Sequence, residues 1–256
     1  MPRTSRRGDI LPCVSSRDDW QRRLGPLYGG AVALVHSTPW RWPTEVSDES
    51  RSAAWVVALG VPVGLVAWLI ARLFLAVGFP SPLSAIVGLA TLTAASAALV
   101  ERGLAEAIDR WQGHARSPGV AATLVLVFTT LVRAAAIVFV EPASWLWLFV
   151  ATAVAGRWAA VFLQALGDPV AHDPATRSLV AVPAPAWLTA AISAGAAAIL
   201  IIALGKIGIV AMVIAAIAVF ALGLATQRHS GGLTPAVVGA AAAIGELGVL
   251  LLATIK

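Results

Sequence analysis

The sequence predicts an all-α fold, a polytopic transmembrane helix bundle of about seven spans with a cytoplasmic N-terminus. Hydrophobic residues make up 59% of the 256, which excludes an ordinary soluble domain. Seven apolar stretches are long enough to cross a bilayer, at about 53–79, 82–100, 119–140, 143–165, 185–204, 207–226 and 236–254. They lack the alternation of a β-barrel, so helices are the spanning form. Arginine is placed unevenly. Eight arginines precede the first span, and Arg102, Arg110, Arg116, Arg177 and Arg228 follow the second, fourth and sixth. The opposite side carries Lys206 and the terminal Lys256. The positive-inside rule then sets the N-terminus in the cytoplasm and, with an odd number of spans, the C-terminus outside.

Residues 1–24 form a polar, Arg-rich tail without an apolar core, so no cleavable signal peptide is expected. Residues 25–52 are an interfacial or re-entrant segment, interrupted by Gly29, Gly30, Pro39 and Pro43, and a charged linker. Residues 53–256 are the transmembrane domain. Trp55, Trp111, Trp145, Trp147 and Trp187 lie near predicted span ends, where interfacial anchors belong. Runs such as 193–196 and 239–243 are built of small residues. These suit helix contacts inside one bundle or at the face of a homo-oligomer or membrane complex. The lipid bilayer is the expected partner. The +5 formal charge is explained by basic cytoplasmic loops and requires no nucleic acid. One cysteine, Cys13, excludes an intramolecular disulfide. Sixteen arginines against two lysines, with abundant alanine, point to a GC-rich bacterial genome and so to a bacterial inner (cell) membrane.

Charge is concentrated between residues 101 and 110, where five of ten residues are ionisable in a chain that is 12% charged. At helical spacing Arg102, Glu106 and Asp109 share one face. Acidic groups at a membrane helix end suit Mg²⁺-assisted phosphoryl chemistry, and equally a solvated helix end. Arg72, Arg133 and Arg157 fall inside spans, where an arginine must pair, face the interior or snorkel. Arg72 is near a span end and suits snorkelling. Arg133 and Arg157 suit a phosphate or carboxylate, and Glu246, the only acid in the last span, is a natural partner for one of them. His36, His114, His172 and His229 show no ligand spacing, and the 168–173 loop reads as solvated. There is no P-loop, dinucleotide fingerprint, His-Glu-x-x-His or Gly-x-Ser-x-Gly. No pair of spans shows the matched breaks of an inverted-repeat transporter.

The segment Gly231-Gly232-Leu233-Thr234-Pro235-Ala236-Val237-Val238-Gly239-Ala240, followed by Glu246, resembles the last helix of cobalamin synthases, the adenosylcobinamide-GDP ribazoletransferases. Gly231, Gly232, Thr234, Gly239, Ala240 and Glu246 match that pattern, while its Asp and first Glu fall on Ala236 and Ala243. The charge run resembles the same family's Asp-Gly-Leu-Ala-Asp-Thr-x-Asp-Gly. Gly103, Leu104 and Ala105 match, Glu106 and Asp109 stand for the second and third Asp, and Arg102 and Arg110 replace the first Asp and final Gly. Weaker echoes lie at 35–39, 119–122 and Gly156-Arg157. The resemblance covers most of residues 25–256 in order.

It implies Mg²⁺-dependent joining of α-ribazole to a cobinamide nucleotide in cobalamin biosynthesis. Glu106, Asp109 and Glu246 would then be metal ligands, and Glu106, Asp109 and Arg102 catalytic. Arg157, Arg133, Thr234, Gly231 and Gly232 would bind substrate. The departures take that charged face from −3 to −1 and weaken or remove the Mg²⁺ site. Two readings follow. In one, Glu101, Glu106, Asp109 and Glu246 hold the metal and Arg102 meets a phosphate. In the other, Arg102 and Glu106 form an i, i+4 ion pair and the chain is a non-catalytic homologue: a scaffold, a subunit or a ligand-binding protein.

Overall fold

The computed structural model describes residues 22–39, 52–113, 119–168, 170 and 184–255. The tail before residue 22 with Cys13, the linker at 40–51, His114, His172 and most of the 168–173 loop lie outside them, as does the side chain of His36. The described residues form ten α-helices: α1 (Tyr28–Ser37), α2 (Ser52–Ala58), α3 (Gly60–Ala76), α4 (Ser81–Ala95), α5 (Leu99–Trp111), α6 (Val120–Val138), α7 (Trp145–Leu166), α8 (Ala186–Leu204), α9 (Lys206–Ser230) and α10 (Pro235–Ala253).

Six units are long and apolar enough to cross a membrane. These are Ser52–Ala76 (α2 with α3), Val120–Val138, Pro142–Leu166, Ala186–Leu204, Lys206–His229 and Pro235–Ala253. A seventh crossing arises if the bent pair α4–α5 counts as one span. The protein is a multi-pass, all-helical membrane bundle. α1, at ten residues, reaches about 15 Å and is too short to cross.

The second expected span, 82–100, differs. α4 ends at Ala95, and its 15 residues reach about 22 Å, short of a hydrocarbon core of about 30 Å. The chain then bends by 72° into α5. Ala97 and Ala98 make the bend at φ 53° and 51°. The Ala98 N–H donates back to the Thr93 carbonyl, closing the end of α4. α5 then buries Val100, Gly103 and Ala107 on one side while Arg102 and Arg110 stay at the surface.

α7 is the axis of the bundle. Of its span 83% is buried, against 17% for α8 at the periphery. Alanines and Gly156 of α7, with glycines of α3 and α10, let these helices approach closely; a Cβ on Gly64 of α3 would sit 2.5 Å from the Val150 Cα. α5 lies against α10 and α6. The tryptophans divide. Trp111, Trp147 and Trp187 are exposed at helix ends as expected. Trp145 is buried and donates Nε1–H to the Val140 carbonyl at 3.0 Å, and Trp55 packs its ring on Gly29 and Gly30 of α1.

Candidate functional site

The interior charges meet where α5, α6, α7 and α10 converge. Arg133 of α6 is 4% exposed and bridges two carboxylates, donating Nη1 to Glu101 of α5 and Nη2 to Glu246 of α10. Thr93 Oγ1 also donates to Glu101, at 2.9 Å. Arg157 of α7 donates Nη1 to its own helix at the Ala153 carbonyl, 3.2 Å away, and Nη2 to Ser96 Oγ in the α4–α5 bend, 3.1 Å away. Two arginines and two glutamates therefore give a cluster of formal charge zero. An unpaired ion here would cost several kcal/mol, so each side chain constrains the other three.

The backbone makes room for this cluster. A Cβ on Gly156 would lie 2.6 Å from Glu246 Cγ, so the bare backbone of α7 admits the Glu246 side chain beside Arg157. Some polar atoms stay unmatched: Arg133 Nε, Arg157 Nε, Glu101 Oε2 and Thr234 Oγ1 are buried without a partner among the described residues. Beside the cluster is a cavity of about 30 Å³, walled by Ser37, Ser96, Gly156, Arg157, Gln164 and Glu246 with an apolar remainder.

The surface face of α5 holds a separate set. Arg102 Nε donates to Glu106 Oε1 at 2.8 Å, the i, i+4 pair anticipated from the spacing. Asp109 accepts the Gly119 N–H at 2.8 Å and so tethers the start of α6. Glu106 and Asp109 thus stand apart from Glu246. Among the described residues no three His, Cys, Asp or Glu side chains gather closely enough to share an ion. The acid that joins Glu246 is Glu101, which the helical-face argument passed over. Its signal was charge balance: two interior arginines faced a single acid within the spans, and Glu101 is the acid directly after an apolar run.

The glycines of the two quoted segments hold helices together. A Cβ on Gly103 would lie 2.4 Å from the Gly239 Cα, and one on Gly239 would lie 2.7 Å from the Gly103 Cα. Ala107 packs with Ala236 and Ala240 along the same α5–α10 seam. Gly231 caps α9 at φ 69°, a left-handed conformation that suits glycine. At Gly232 a Cβ would lie 2.9 Å from the Val170 nitrogen, where Leu233 exchanges backbone hydrogen bonds with Asp168 and Val170. Gly231 and Gly232 therefore shape a turn, and Thr234 is the buried N-cap residue of α10.

A family model described as cobalamin-5-phosphate synthase matches residues 30–254. The chain belongs to that family. The match runs from α1 to the end of α10, so the family framework includes the central cluster and the α5–α10 seam. No curated protein and no solved structure matches the chain. The seam glycines Gly103 and Gly239 are among the residues that carry the resemblance to this cobalamin-5-phosphate synthase family. At positions 236 and 243, where the resemblance implies carboxylates, the chain has buried alanines.

Proposed function

We propose that this member of the cobalamin-5-phosphate synthase family is a membrane-embedded binding protein and not a Mg²⁺-dependent ribazole transferase. The observation that carries the reading is the bridge from Arg133 to Glu101 and Glu246. A Mg²⁺ site needs carboxylate oxygens free of competing cations. Here the two inward acids already hold an arginine, Glu106 holds Arg102, and Asp109 holds a backbone N–H. The Ala107, Ala236 and Ala240 packing fills the seam where further acids are implied. A divalent cation entering the central cluster would have to displace a buried guanidinium, which is strongly unfavourable.

The protein keeps a cavity, an interior cation and a scaffold, which together serve ligand binding at the cytoplasmic leaflet of a bacterial inner membrane. Family ancestry alone does not carry the reaction. The test is growth. The chain is expressed in a bacterial strain lacking its own cobalamin synthase and supplied with cobinamide and the lower base. Good membrane expression without rescue is the expected result; rescue overturns the reading and restores Glu106, Asp109, Arg102 and Glu246 as candidates for metal-assisted transfer.

A further inference from the structure

Arg157 is a buried charge without a direct counterion. It is 7% exposed, and its terminal nitrogens donate to uncharged groups, the Ala153 carbonyl and Ser96 Oγ. Among the described residues it makes no ion pair, whereas Arg133 holds both inward carboxylates. Its Nε–H is buried without a partner. Glu246 is nevertheless close. The Cβ that Gly156 lacks would lie 3.0 Å from Glu246 Oε1, and Gly156 directly precedes Arg157. Arg133 takes Glu246 Oε2, and Oε1 accepts no hydrogen bond among the described residues. A donor and an acceptor of opposite charge thus stand on the wall of one cavity without touching. A polar pair too far apart to bond directly is the usual place for a bridging water.

That cavity, of about 30 Å³, has room for about two water molecules. Most of its wall is apolar, and the polar groups on it are of both kinds. Arg157 Nε–H and the Ser96 hydroxyl are donors, and Glu246 Oε1 is an acceptor. The buried Gln164 amide, which makes no hydrogen bond among the described residues, offers both. An anion here would meet Glu246, and a cation would meet Arg157. An apolar occupant would leave these groups unsatisfied, which is costly at this burial. Water both donates and accepts, and a buried water needs about two to four polar partners. The depth of the site makes the same demand. Arg157 lies roughly 14 Å from Leu166 at the end of α7, and Glu246 roughly 17 Å from Pro235 at the start of α10, at 1.5 Å per residue. The α4–α5 break reaches the same wall through Ser96. Non-helical backbone at membrane depth is tolerated where it is buried in protein or lines water.

We propose that the cavity is an internal water site, in which one water accepts from Arg157 Nε–H and donates to Glu246 Oε1 and a second continues to Gln164. Arg157 and Glu246 are then a water-mediated ion pair, and the α4–α5 bend is solvated from within the bundle. The inference goes beyond the binding-protein reading and holds whether or not the chain catalyses.

Arg133 supplies the control for a test. Its Nε–H is also buried without a partner, but Arg133 is not on the cavity wall. Full-length protein carrying isotope-labelled arginine, in detergent, is read by proton–nitrogen NMR for magnetisation transfer between water and each Nε–H. Arg157→Lys and Arg133→Lys assign the two signals. The expected result is a water cross peak at Arg157 Nε–H and none at Arg133 Nε–H. No cross peak at Arg157, or equal peaks at both arginines, overturns the proposal. Ala160→Val adds two methyl groups at the cavity wall and should abolish the Arg157 cross peak; a peak that persists unchanged in the folded variant overturns it as well. Should a lysine variant fail to fold, an experimental structure that shows water elsewhere in the protein decides. Ordered solvent between Arg157 Nε and Glu246 Oε1 supports the site, and none there overturns it. Growth rescue tests catalysis alone and leaves these outcomes untouched.

Discussion

Arg133 is the residue on which the interior depends. It ties α6 to α5 and α10 through two carboxylates, and both Arg133 and Glu246 are buried. Arg133→Met should leave Glu101 and Glu246 facing each other and lower stability by about 3–5 kcal/mol. Combining Arg133→Met with Glu246→Leu should recover much of that loss, because removing both partners of a buried pair is far less costly than removing one. Thermal melts of the single and double variants in detergent check both statements; equal melting of the single variant and wild type contradicts them. The pairing of Glu246 with an interior arginine was legible from the sequence, since no other acid lies inside the last span. The choice of Arg133 over Arg157 was not, because it depends on how α6 and α7 rotate against α10. Glu101 entered the sequence reading as a metal-holding acid and not as a partner of Arg133, for a geometric reason. It sits about 100° around the helix from Arg102, so the face that gathers Arg102, Glu106 and Asp109 excludes it.

Among the elements, the α4–α5 bend and the α5–α10 seam set the position of the cluster. Ser96-Ala97-Ala98 carries no proline or glycine to announce a break, and an apolar run through it reads as continuous helix. The bend leaves two alanines in a left-handed conformation that costs roughly 1–2 kcal/mol per residue. Ala97→Gly should therefore raise stability by about 1 kcal/mol, the reverse of the usual effect of glycine near a helix; an equal or lower melting temperature contradicts the strained bend. The seam makes the opposite demand. Gly103→Ala drives a methyl into the Gly239 backbone and should cost about 1–3 kcal/mol, whereas Gly195→Ala, with no atom within 4 Å of the new Cβ, should melt at or slightly above wild type. The sequence marked Gly103 and Gly239 as parts of two separate motifs. That they face each other is a fact of packing that no local spacing reveals.

The described residues form a bundle wrapped around α7. Its helical membrane character was readable because apolar length is a one-dimensional property, and all the expected spans except 82–100 return as single crossing units. If the arginine asymmetry sets orientation, alkaline phosphatase fused after residue 256 should be active in the periplasm, and an inactive fusion at equal expression contradicts the cytoplasmic N-terminus. In the proposed function Glu101, Glu246, Glu106 and Asp109 are engaged by the protein's own donors and leave no site for Mg²⁺. Calorimetric titration of the purified protein with millimolar Mg²⁺ tests it most directly, with an Arg102→Asp, Ala236→Asp double variant alongside to return two implied carboxylates to the α5–α10 seam. The account predicts no saturable binding by the wild type and measurable binding by the variant; saturable Mg²⁺ binding by the wild type contradicts it.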